Sequence, residues 1–393
     1  MNKISFFLLC LYVFTLPSGT YFDLPHIGVV SAVFLVASLV TYLLSLGSTR
    51  ISKEIFIDFY IKRRYFFICC LFFLLAAMTY FWTISPHHTE IAIKASIQIL
   101  LATFLVLSLV DSSKKIQIII QFFILGGFVS IFGILYSFFF GKSYFQEITR
   151  YTITGLNPND FGLIMALSIP MAWYLISKQK SSVIQWMMSA FIPLSVISIF
   201  LTGSRGSFVA LLISLLIVPW TYINTSKKVK LFLILTIIIA SYFVLFVIPA
   251  NTVDRIYNIF NSAKSDNLSQ RMDIWIASKK FVPYHSAIGV GTGAFRVAIE
   301  RIMGREHVAH NTLLSILGEE GIIGLSIFII IIVILIFKIS KLQEQEKKTW
   351  TIILLTWIIG TSVLSWDYQL ITWFLFSLII STPTKNINEN SQS

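Results

Sequence analysis

The sequence predicts an all-α protein that crosses a membrane about twelve times, and three observations carry that reading. Of 393 residues, 56% are apolar and only 12% charged, about half the ~25% charged share of a soluble domain. Mean hydropathy is +0.82, too apolar for a soluble core of this length. Runs long enough to cross a bilayer recur along the chain, separated by short polar stretches. Together these exclude disorder, collagen-like repeats and a secreted disulfide scaffold.

The charge balance fits the same class. Thirty Lys and Arg against 18 Asp and Glu give +12, which in a soluble protein would suggest nucleic acid. Basic residues collect in the cytoplasmic loops of membrane proteins, so no nucleic-acid partner is expected. Cys10, Cys69 and Cys70 all fall in apolar stretches, where neither a structural disulfide nor a metal-ligand spacing is plausible.

Twelve apolar runs are read as spans, at about 4–22, 27–47, 65–84, 91–110, 116–140, 159–177, 183–201, 207–223, 229–250, 321–338, 350–365 and 367–382. The first follows Met1-Asn2-Lys3 and imitates a signal peptide, but it lacks a clear small-residue cleavage site and is kept as a helix. Alternate loops separate by charge. One set, from Lys3 through Arg63 and Arg64 to Lys347, Lys348 and Lys385, holds 18 basic residues, and the other set's short loops hold three, Lys142, Arg150 and Arg205. That asymmetry places both termini in the cytoplasm and the second set outside. The expected division is nine spans over 1–250, an extracytoplasmic loop over 251–310, three spans over 311–382 and a cytoplasmic tail over 383–393.

The long loop reads as folded. Leu268, Met272, Trp275 and Phe281 fall near one helix face after the cap-like Ser265-Asp266-Asn267, and a second helical stretch covers about 294–303. Between them, Gly289-Val290-Gly291-Thr292-Gly293 lacks the preceding strand and spacing of a phosphate loop and reads as a turn. The spans themselves hold almost no ionisable groups. Lys94 lies four residues past Glu90 near an outer helix end, where snorkelling or an i,i+4 pair accounts for it. A non-enzymatic lipid or polysaccharide carrier is therefore the weaker class, because carriers place ionisable groups or broken helices at mid-membrane.

Polar chemistry concentrates on the outer face. In Thr202-Gly203-Ser204-Arg205-Gly206-Ser207, the glycines allow close backbone approach, Ser207 is a candidate cap for the next helix, and that helix's N-terminus favours an anion. Arg205 adds a planar donor fork suited to phosphate, with lipid headgroups as the plainer partner. Arg271 offers a second guanidinium, unless Asp273 neutralises it. His310 precedes Asn311 and a helical run; its imidazole titrates near neutrality and can accept a hydroxyl proton. His307 with His310, joined by Glu319 or Glu320, forms no familiar metallohydrolase spacing. No metal or cofactor is expected, and His87, His88 and His285 have no comparable setting.

These residues resemble the O-antigen ligase superfamily, which also contains the O-antigen and capsule polymerases. The resemblance spans the chain in span number and loop placement and is densest from about 155 to 325. Asn157-Pro158-Asn159-Asp160 looks like the motif before a middle span, 202–207 like the family's arginine turn, and Arg271 like its second arginine. His310-Asn311 followed by Gly321 and Gly324 is similar to the family's His-Asn-to-Gly-Gly signature. The resemblance implies a glycosyltransferase of the multispan GT-C type in the inner membrane. It would take a glycan from undecaprenyl diphosphate on the outer face, with inversion and without metal. In ligases the acceptor is a lipid A-core sugar; in polymerases it is another lipid-linked repeat. One dominant outer loop favours the ligase. By carry-over, Arg205 and Arg271 hold the diphosphate, His310 activates the acceptor hydroxyl, and Asn157, Asn159, Asp160 and Asn311 are secondary site residues. The chain departs from several ligases in having Val308 where they carry a second histidine, with His307 displaced by one.

Overall fold

In hydrocarbon, backbone N–H and C=O groups find no water and must pair internally, which long apolar segments achieve as helices. The computed structural model describes residues 2–22, 30–46, 56–141, 150–217, 227–248 and 266–384, and among them every regular element is helical. Seven segments are long and apolar enough to cross a membrane: Asn2–Gly19, Tyr60–Phe81, Pro86–Leu109, Ser113–Phe139, Pro158–Lys178, Ser182–Thr202 and Gly321–Ser340. The chain is thus a polytopic membrane protein, all-helical among its described residues. The other five expected runs contain shorter or more polar helices at Val30–Leu46, Arg205–Leu215, Lys227–Phe246, Glu344–Thr361 and Leu370–Ser381. Parts of the second, eighth and ninth runs, residues 251–265 of the outer loop and the tail from 385 lie outside the described residues.

In chain order the helices are α1 (Asn2–Thr15), α2 (Val30–Leu46), α3 (Phe56–Met78), α4 (Pro86–Leu109), α5 (Ser113–Phe139), α6 (Pro158–Lys178), α7 (Ser182–Thr202), α8 (Arg205–Leu215), α9 (Lys227–Phe246), α10 (Asp266–Ser278), α11 (Phe295–Met303), α12 (Thr312–Glu319), α13 (Gly321–Ser340), α14 (Glu344–Thr361) and α15 (Leu370–Ser381). Their ends depart from the apolar runs for a physical reason. Hydropathy marks where lipid is tolerated, whereas helices continue into polar sequence until a cap stops them. So α3 begins at Phe56 rather than 65, and within it Lys62 donates to the carbonyls of Leu107 and Val110, each at 3.0 Å. The first run bends into a tight 3₁₀ segment, Leu16–Phe22.

Helix α6 is the hub, packed against α5, α7, α8 and α14 and buried along nearly its whole length. Small residues allow the close crossings. A Cβ at Gly162 would lie 2.4 Å from Ser207 Oγ of α8, and one at Gly360 of α14 would lie 2.2 Å from Leu163 Cδ1 of α6.

The loops sort to two ends. At one end Lys178 pairs with Glu346 at 2.7 Å and Gln179 with Gln117 at 2.9 Å. At the other, the connections after α5, α7 and α14 meet α10, α11 and α12. These three short helices form a cap with its own core of Ile274, Ala277, Phe281, Val290, Phe295 and Ile299. The buried stripe of α10 is therefore Ile274, Ala277 and Ser278, continued by Phe281 in the turn after it, while Met272, expected on it, is 46% exposed. Contacts with α11 set that register, which the helix's own apolar spacing left open.

Candidate active site

The arginine turn is built by the ends of two helices. Helix α7 closes at Gly203, whose left-handed φ of 56° reverses the chain at little cost. Ser204, not Ser207, caps α8, its Oγ accepting from Ser207 N at 3.3 Å. Ser207 sits one turn in, and its Oγ donates to Asn159 O at 3.0 Å. Arg205 consequently occupies the first helical position, where unpaired N–H groups and the helix dipole already favour an anion.

Asn157 caps α6, its side chain accepting from Asn159 N at 2.9 Å ahead of Pro158 at the first turn. Asn159 turns the other way: its Oδ1 accepts from Arg150 Nη2 at 2.9 Å and from Ser204 Oγ at 2.8 Å. Arg150 Nε donates to Thr202 O at 3.1 Å, fastening the α5–α6 loop to the arginine turn. Asp160 Oδ1 accepts from Trp366 Nε1 at 2.8 Å.

Arg271 projects from α10 and is half-buried. Among the described residues it forms no ion pair with Asp273 or another carboxylate. Burial, and then the nearby Arg205 guanidinium, lower its proton affinity. His310 lies just before α12, whose cap Asn311 accepts from Leu314 N at 2.9 Å and donates through Nδ2 to Ser362 O at 3.1 Å. Its φ of 48° is the one positive φ of a non-glycine residue among those described, strain of the kind stored at functional sites. Burial, then the charges of Arg271 and His307, depress the imidazole to about 4 rather than leaving it near neutrality. His310 is accordingly neutral at pH 7.

Arg150, Arg205, Arg271, His307 and His310 line one cavity of about 310 Å³, with Asn159 and Gly206 beside them. Among the described residues, segments from four parts of the chain supply three guanidiniums, two imidazoles and no carboxylate to it. Asn157 and Asp160 line a neighbouring cavity instead. Asn311 lines neither and acts as a cap.

The glycine stretch 289–293 is a turn, as its spacing predicts, and its donors are taken within the chain: those of Gly289, Val290 and Gly291 by the carbonyls of His285, Gly318 and Glu319, that of Thr292 by Thr79 Oγ1, and that of Gly293 by the Glu319 carboxyl group. Glu319 Oε2 accepts from Gly293 N at 2.7 Å and Oε1 from Phe295 N at 3.3 Å. Glu320 Oε1 accepts from Tyr368 Oη at 2.6 Å and Thr292 Oγ1 at 2.9 Å. Burial and the neighbouring Asp367 raise the proton affinity of both glutamates.

Against known families, residues 190–329 match the model described as O-antigen ligase. This segment, about a third of the chain, is similar to the O-antigen ligase family. It contains Arg205, Arg271 and His310, so the resemblance drawn from those motifs is borne out there. No curated protein sequence matches the chain. Arg150 and Asn159 lie before the matched segment, and Val363, which lines the same cavity, lies after it. Two residues near the site went unread in the sequence, Arg150 as more than a loop charge and Val363 in the loop after α14, and His88, which the sequence reading set aside, lines the neighbouring cavity with its Nδ1 2.8 Å from Ser85 Oγ. None sits in a motif; tertiary contacts alone bring them in.

Proposed function

We propose that the protein transfers a glycan from undecaprenyl diphosphate to an acceptor sugar hydroxyl on the outer face of the inner membrane, within a GT-C-type architecture. The preferred acceptor is lipid A-core, the ligase reaction. The similarity to the O-antigen ligase family supports glycan transfer of the ligase or polymerase kind. The observation that carries the site assignment is the shared cavity, where Arg205, Arg271 and His310 meet although they lie far apart in sequence.

In this reading Arg205 and Arg271 grip the diphosphate, their planar forks matching its oxygens. The acceptor hydroxyl gives its proton to His310 as its oxygen attacks the anomeric carbon. The bond from that carbon to the diphosphate oxygen breaks, and its electron pair leaves with the diphosphate, inverting the centre. A diphosphate is a good leaving group, so the chain's task is to neutralise growing charge and take one proton. Bound diphosphate also offsets the Arg271 charge that depresses His310, making the base stronger when the donor is in place. No step calls on a metal.

Glycans of a deletion strain test the assignment. Intact lipid-linked polymer with no attachment to core supports ligation; only single repeats point to polymerisation; unchanged glycans refute both.

A further inference from the structure

His310 and Asn159 also line a second cavity, of about 450 Å³, within the ~300–1,000 Å³ of small-molecule sites. Its charge differs from the first. Among the described residues the first cavity gathers three arginines and no acid; the second sets Asp160 and Asp367 against Arg296, with Glu319 beside them held toward its neutral form by burial. An anionic group is drawn to the first and disfavoured in the second.

The second lining also carries the mixed polarity of a sugar. Asn157 and Gln369 offer amide donors and acceptors, and Phe295 and Tyr368 offer rings. Ser365 belongs to the same lining, and its Oγ is buried with no hydrogen-bond partner among the described residues. The two histidine-region side chains divide accordingly: His307 faces the arginine cavity and Val308 the second.

We infer that this second cavity is the acceptor subsite and that it takes a non-phosphorylated sugar ring, neutral or amino-substituted, one hydroxyl of which is presented to His310. The inference rests on the transfer reading above and adds to it the chemical class of the acceptor.

Saturation-transfer NMR on the purified full chain in detergent tests it with three sugars, methyl glucoside, glucosamine and glucose 6-phosphate, and with geranylgeranyl diphosphate as the donor-side probe. Signal is expected from the first two sugars and not from the phosphorylated one. Val308→Trp, which fills the subsite, should abolish it. Ser365→Ala should weaken affinity about 2- to 13-fold, one neutral hydrogen bond of about 0.5–1.5 kcal/mol. Both variants should bind geranylgeranyl diphosphate as the parent does. Sugar signal unaffected by both substitutions, preference for glucose 6-phosphate, or no signal from any sugar overturns the subsite. Failure of the donor reading shows separately, as geranylgeranyl diphosphate binding that is unchanged in Arg271→Ala.

Discussion

The Trp275 indole N–H donates to the carbonyl of Ala309 at 2.9 Å. That bond ties the helix bearing Arg271 to the residue before His310, so anion-binding and base-bearing segments are held at a fixed separation. Ala309 is fully buried, and its carbonyl would be left without this partner if the indole nitrogen were lost. Trp275→Phe keeps most of the ring and removes the donor. A neutral hydrogen bond contributes about 0.5–1.5 kcal/mol, so transfer should fall about 2- to 13-fold with expression unchanged. Parental activity in a glycan-transfer assay would show that the bond does not position the site.

Arg205→Ala and Arg271→Ala should each lower transfer while the protein still inserts. A charged hydrogen bond is worth about 1.5–3 kcal/mol, which predicts about 10- to 150-fold per arginine. Lysine should rescue incompletely, since it keeps the charge and loses the fork. Initial rates on purified protein decide this, and near-normal rates in both alanine variants remove the diphosphate role.

His310→Asn is the cleaner test of the base, because asparagine tolerates the positive φ of 48° better than alanine does. Turnover should drop about 10²–10⁴-fold, the usual scale of general base catalysis, with geranylgeranyl diphosphate binding retained. Parental turnover in this variant, or activity lost to a chelator and restored by a divalent ion, would refute the proposed chemistry.

The pH dependence follows from the depression of His310 to about 4. Free histidine titrates near about 6.5, so the unfolded chain takes the proton first. The residue's contribution to stability is then complete above that value and declines as pH falls toward about 4. Because kcat/KM reports the free enzyme, its acid limb should lie well below 6.5. In Arg271→Ala the limb should move upward, since a repelling positive charge is gone. A parental limb at the free-histidine value that stays put in Arg271→Ala would contradict the electrostatic account.

Sidedness can be read with an impermeant maleimide in a background lacking Cys10, Cys69 and Cys70. Arg305 and Lys347 are both exposed, at opposite ends of the helical bundle. Arg305→Cys should label in intact cells and Lys347→Cys only after the membrane is opened. The reverse pattern would invert the proposed topology.

By itself the sequence determined the class of the protein. Span-length apolar runs leave backbone groups no partner but the helix, so helices follow from composition alone. The motifs also named Arg205, Arg271 and His310, because a glycine-bounded arginine and a histidine before an asparagine cap carry their chemistry locally. What they could not carry is adjacency. That Arg205 stands near Arg271, that Arg150 reaches Asn159 across the arginine turn, and that Ser204 rather than Ser207 caps α8 depend on how α6, α8 and α10 pack. The ionisation of His310 also belongs to that packing, since desolvation and neighbouring charge act through space whatever the separation along the chain. So does the second cavity, whose wall from Leu364 to Gln369 meets α6 and α12 only in the folded bundle.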